Sequence, residues 1–139
     1  MDLSELLVNL TTHYNAFVRS AASQLNLTVS QAFHLISIPH DGIPMSNLAH
    51  KLGLDASTLT RNIQKLENYG LIHRKRDPYD KRVQKAVLTK QGVEITEEIE
   101  AILLQMNNSI TEQIDLDAQE NLCELLEKLV WAMDCVRDK

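Results

Sequence analysis

The sequence predicts a mainly α-helical fold carrying one small β-hairpin, and three observations predict it. Apolar residues recur three and four apart over long stretches at both ends of the 139-residue chain, the spacing that gathers them on one side of a helix. Two short stretches, 71–76 and 83–88, flank the turn-forming run Asp77-Pro78-Tyr79-Asp80, as the strands of a hairpin would. Between Lys51 and Lys90 there are ten Lys and Arg against four acids, while the remainder of the chain has four against fifteen. A basic centre inside a protein of net charge -5 suits a polyanion that docks on one face, with the acidic remainder limiting indiscriminate binding.

The length is that of one domain, enough to bury a core. No apolar run approaches the roughly 18 residues of a membrane span, and the start MDLSELL lacks the basic residues of a signal peptide. The expectation is a cytoplasmic protein with no membrane partner. Cys123 and Cys135 fall on one predicted helix, about 18 Å apart by helical rise. That is too far for a disulfide within the chain, which leaves two reduced thiols, or else a bridge across a dimer or a redox switch.

Asp2 can cap a first helix, to about Gln24, whose apolar positions are Leu3, Leu6, Leu7, Leu10, Tyr14 and Phe17. A stripe that broad on a terminal helix calls for a cover, and a partner subunit is the economical one. Thr28 caps a second helix, Val29 to Ile38, with Ala32, Leu35 and Ile36 inward, and Pro39 ends it. Ile43-Pro44 is a candidate for a very short edge strand. A third helix, about Met45 to Leu52, stops at Gly53. Asp55 then caps a fourth, in which Leu59, Ile63 and Leu66 share a sector about 60° wide. Helix, three-residue turn, helix is the helix-turn-helix arrangement.

Opposite the apolar sector of the fourth helix stand Ser57, Arg61, Gln64 and Asn68, with Thr58 and Lys65 beside them. Arg, Gln and Asn pair bidentately with guanine or adenine edges in a major groove, and Ser and Thr serve bases or phosphates. The plain alternative is a solvated helix face. What tips the balance is the hairpin after Gly70, flanked by Arg74, Lys75, Arg76, Lys81, Arg82 and Lys85. A charged hairpin directly after a helix-turn-helix is a wing, able to reach a minor groove or backbone. Otherwise the charge would serve only to protect a sheet edge.

Thr89 caps a long helix through Val93, Ile95, Ile99, Ile102, Leu103, Met106, Ile110 and Ile114, and Asp117 caps the last, through Leu122, Leu125, Leu126, Leu129, Val130, Met133 and Val136. Two such stripes at one end of the chain, matching the one at the other end, favour a helical dimer interface over plain core.

With the motifs SNLAHKLGLDASTLTRNIQKLENYGLI, then RKRDPYDKRVQKAVLT, then Leu88-Thr89-Lys90-Gln91-Gly92, the chain resembles the MarR family of winged helix-turn-helix transcriptional regulators. The resemblance runs through the whole chain in element order and is most specific from Met45 to Gly92. It implies a single domain in which about 29–90 form the winged helix-turn-helix, while about 2–25 and 90–137 are helices that assemble a homodimer. Each subunit would place its recognition helix in a major groove and its wing in a minor groove of a pseudo-palindromic double-stranded operator. Carried over by position, Ser57, Thr58, Arg61, Gln64 and Lys65 would face bases and phosphates. Arg82, beside Lys81 at the wing tip, would be steadied by Asp80, and Arg74 and Arg76 would meet phosphates or acidic neighbours. Many members release DNA on binding a small aromatic or anionic effector, for which His13, Tyr14, Phe17 and Arg74 are candidate lining residues, although core packing of Tyr14 and Phe17 and a satisfied or exposed His13 is the stronger reading. The implied role is a repressor.

No cofactor is expected. The five histidines are scattered without a His-x-x-x-His or Cys-x-x-Cys pair, so no metal is expected either. Four singly spread glycines make no phosphate loop, and no nucleophile stands with a base, so the chain reads as no enzyme. A winged helix that binds protein rather than DNA would present an apolar or acidic face, where this one has Arg61, Lys65 and Arg82.

Overall fold

The computed structural model describes residues 1–138, and its elements run α1 (Leu3–Ser23), α2 (Val29–Ile36), β1 (Ile43–Pro44), α3 (Met45–Leu52), α4 (Ala56–Asn68), β2 (Ile72–Arg76), β3 (Gln84–Leu88), α5 (Lys90–Thr111) and α6 (Leu116–Arg137). The chain divides into two compact units, one from Met1 to Leu103 and one that begins at Leu104.

In the first unit α1 and α2 start on reciprocal caps. Asp2 accepts the Glu5 N–H at 2.9 Å while Glu5 accepts the Asp2 N–H at 3.2 Å, and Thr28 and Gln31 repeat this reciprocal capping on α2. The stops are equally local. At the end of α3 the Leu54 N–H bonds the Ala49 carbonyl (2.9 Å) and the Gly53 N–H bonds that of His50 (3.1 Å), with Gly53 at φ 70. Leu71 and Gly70 close α4 in the same pattern on Leu66 and Glu67, so both helices end in a left-handed glycine that any other residue would strain.

The three strands form an antiparallel sheet in the order β1-β3-β2, with Ala86 opposite both Ile43 and Arg74. The core comprises Val18, Ala21 and Ala22 of α1, Ala32 and Leu35 of α2, Leu48 of α3, Leu59, Ile63 and Leu66 of α4, Ile72 and Ala86 of the sheet, and Ile99 and Leu103 of α5. Two details depart from the sequence reading. The helix expected to reach Ile38 ends at Ile36, with Ser37 as its cap, because Pro39 disfavours helical geometry in the residue before it. On α1 Tyr14, read as core, is exposed, because the buried positions are the small C-terminal ones that let α2 approach closely; Leu3, Leu6 and Leu10 are 59%, 49% and 52% exposed, in line with a stripe that a small domain leaves uncovered.

In the second unit Asp115, not Asp117, caps α6 by accepting the Ala118 N–H at 2.8 Å, two residues earlier than expected. Either aspartate could serve by composition; the one with extended backbone and an N–H within reach does so. Gln119 donates to the Thr111 and Ile114 carbonyls at the end of α5. Among the described residues of this unit none is buried, and α6 leaves Leu125, Val130, Trp131 and Val136 more than half exposed. No helix among the described residues is long and apolar enough to cross a membrane.

Candidate nucleic-acid interface

The site is built on α4. Its inward positions Leu59, Ile63 and Leu66 are at most 1% exposed, which fixes the helix in rotation and turns Ser57, Arg61, Gln64, Lys65 and Asn68 to solvent. Asp55 organises the entry. Its carboxylate accepts the Thr58 N–H at 2.7 Å and the Ser57 hydroxyl at 2.8 Å, and these bonds, the backbone one first, pull its pKa down to about 2. The Arg61 guanidinium in turn donates to the Thr58 hydroxyl at 3.4 Å. Ser57 and Thr58 are therefore held against the cap, with Arg61 drawn toward them, while Gln64 and Lys65 stand exposed further along the same face.

The wing is shaped by Asp77. Its Oδ1 accepts the Tyr79 N–H (2.7 Å) and the Asp80 N–H (3.1 Å), and its backbone N–H bonds the Val83 carbonyl at 2.9 Å. The Tyr79 bond leads in holding the Asp77 carboxyl below the usual carboxylate range. Asp80 then grips Arg82: Nε lies 3.2 Å from Oδ1 and Nη2 3.4 Å from Oδ2. The Arg82 side chain is 92% exposed, a guanidinium fork held outward rather than folded back. Lys81 is exposed beside it.

The other two arginines named from sequence serve the scaffold in this structure. Arg74 Nε pairs with Glu67 Oε1 at 2.8 Å, each side chain 27% exposed, and so ties β2 to the end of α4. Arg76 donates to the Lys81 carbonyl at 2.7 Å across the wing. His13 and Tyr14 are exposed on α1, and Phe17 is half-buried. Sequence reasoning passed over three contributors. Asp77 was legible as a turn residue but not as the organiser of the whole loop. Tyr79 stands 98% exposed beside Asp80. Asn62, on the flank of α4, meets a buried histidine of α2 at 3.2 Å, a contact that no local pattern announces. The two cysteines, Cys123 and Cys135, are free.

A helix, a three-residue turn and a second helix with a free polar face, followed by a basic hairpin, define a winged helix-turn-helix protein. A family model described as the MarR family matches residues 22–83. An uncharacterised HTH-type transcriptional regulator of Bacillus subtilis, YdgJ, is 39% identical over 54 residues, which are 39% of this chain and 33% of that one, so the match spans a third of the relative's length. Among solved structures, apo MarR from E. coli is 27% identical, with 93% of this chain and 96% of that one covered and a TM-score of 0.78. A cysteine-to-serine mutant of E. coli MarR complexed with operator DNA is 26% identical, with 91% and 92% covered and a TM-score of 0.76. Residues 22–83 are thus similar to the MarR family, and the fold is similar to that of a solved MarR over more than nine-tenths of the chain.

Proposed function

We propose that this chain is a homodimeric, sequence-specific DNA-binding repressor whose α4 enters a major groove and whose wing reaches the adjacent minor groove. The observation that carries this reading is the pairing of two outward cationic tools on one rigid unit: the Arg61, Gln64 and Lys65 face of α4, and Arg82 held extended by Asp80. The first suits base edges and phosphates, the second a narrow electronegative groove. The likeness to a MarR solved with operator DNA supports it. Dimerisation is supported by α6, a 22-residue helix without one buried residue. Its Leu126, Val130 and Trp131 form an exposed apolar stripe with Cys123, bordered by Glu127 and Asp134, a surface whose self-complementary burial is the usual basis of a two-fold dimer. Two copies predict a pseudo-palindromic operator with half-sites about one helical turn apart. Release by a small aromatic or anionic effector completes the proposal, and binding to DNA places the protein in the cytoplasm.

Fragments of the source organism's own DNA retained by the protein would identify the operator. Arg61→Ala and Arg82→Ala should each then weaken binding by about 1 to 3 kcal/mol. Unchanged binding in both variants would overturn the choice of reading residues, and failure to retain any fragment would favour a protein-binding winged helix instead.

A further inference from the structure

His34, on α2, is 2% exposed and is tied at both ring nitrogens. Nδ1 lies 2.6 Å from the Ser30 carbonyl one turn earlier. A carbonyl can only accept, so Nδ1 carries the hydrogen. Nε2 lies 3.2 Å from Nδ2 of Asn62, which is 28 positions away on the recognition helix. An amide N–H can only donate, so Nε2 presents its lone pair. The two partners together specify a neutral ring in one tautomer. The surrounding cavity is lined by Thr28, Ser30, Gln31, Lys65 and Leu66. Lys65 is the charged side chain among them, α2 has no second titratable group, and the part of α1 that is buried is apolar.

Asn62 sits between Arg61 and Ile63, one on the free face of α4 and the other in the core. We infer that His34 and Asn62 are a positioning pair, whose hydrogen bond sets the rotation of α4 on α2 and hence the aim of Arg61 and Lys65 at DNA, an assignment that rests on the DNA-binding reading. Burial of Leu59, Ile63 and Leu66 decides which side of α4 faces inward, and the His34–Asn62 bond sets its final angle, since dispersion is non-directional and a hydrogen bond is not. A proton added to Nε2 would set two donors against each other and place a second positive charge beside Lys65. The bond in its present form cannot then persist, and α4 must shift unless the amide reverses to offer its oxygen. Burial already holds the His34 ring below the ordinary histidine pKa, against the opposing pull of the Ser30 carbonyl, so the neutral ring that accepts from Asn62 prevails at neutral pH.

The test is a double-mutant cycle read by DNA affinity, using a fragment selected with the wild type, at pH 7.5 and at steps down to pH 5. His34→Leu and Asn62→Leu should each weaken binding about fivefold at pH 7.5, the worth of one such bond, and the double variant should be no weaker than either single. Wild-type affinity should fall on acidification more than that of His34→Leu, which removes the contribution of this ring while leaving the other histidines. Independent losses that multiply in the double variant would overturn the pairing while leaving the DNA-binding reading intact. A wild type that binds no fragment at any pH overturns both. Should the leucine variants not fold, long-range nitrogen-15 spectra of the unsubstituted protein read the tautomer directly: an Nδ1–H ring at pH 7.5 supports the brace, and an Nε2–H ring overturns it.

Discussion

Gly92→Ala is a sharp structural test, because alanine is ordinarily the better helix residue. Gly92 is in the first turn of α5, where a Cβ would lie 2.0 Å from the Leu71 carbonyl oxygen, and ordinary contact begins at 3.4 Å. The obstacle is backbone, so the start of α5 and the end of α4 must part by about 1.4 Å, and overpacking of this kind costs about 1 to 3 kcal/mol. Three hydrogen bonds cross or adjoin the same joint: Thr89 N–H to Leu71 O at 3.0 Å, Thr89 Oγ1 to Gly70 O at 2.6 Å, and Gly92 N–H to Thr89 Oγ1 at 3.0 Å. Each contributes about 1 kcal/mol net. Against these losses stands the gain of about 1 kcal/mol that alanine brings to a helix interior. If one or two bonds break, the variant loses about 1 to 4 kcal/mol, which equilibrium urea unfolding at fixed protein concentration would record as a lower midpoint at unchanged slope. A variant within about 0.5 kcal/mol of wild type, or more stable, would refute the close approach, since that is how an unhindered surface position behaves.

Other expectations follow from the same structure. Asp80→Asn removes the charge that holds Arg82 extended, so DNA affinity should fall by up to about fivefold, the range of an exposed pair, with thermal stability unchanged. A loss as large as that of Arg82→Ala would mean that Asp80 does more than steady its neighbour. Val130→Glu, at an apolar position 56% exposed on α6, places a charge twice in a two-fold interface and should yield monomers in sedimentation equilibrium. A dimer as tight as wild type would remove this face from the interface. Asp55, depressed from 3.8 to about 2, stabilises the fold fully above pH 3.8, and the contribution fades as pH falls through 2. The stability gap between wild type and Asp55→Ala should therefore be constant above about pH 5 and shrink toward pH 2; a gap that ignores pH would show that the carboxylate charge is not what stabilises the cap.

The helix-turn-helix was legible almost to the residue because its signals are local. Asp55 before α4, and Gly53 and Gly70 after the two helices, act through neighbours within five positions, and the wing announces itself through Asp77-Pro78 and a run of charge. What stayed hidden depends on proximity that the chain creates only on folding. Arg74 and Glu67 are both charged and both half-exposed, and nothing in their spacing says that they meet across the end of α4. His34 sits on α2 with no pattern to distinguish a buried ring from a wet one, and its partner Asn62 lies on another helix. On α1 the periodicity found the helix but could not say which part of the stripe is buried, because burial there depends on where α2 packs.

The central claim is that this surface holds DNA through placed positive charge. It is tested most directly by titrating a selected fragment at a series of salt concentrations. If each dimer neutralises about eight phosphates, the logarithm of the association constant should fall against the logarithm of salt with a slope near -7. A slope close to zero would contradict the account.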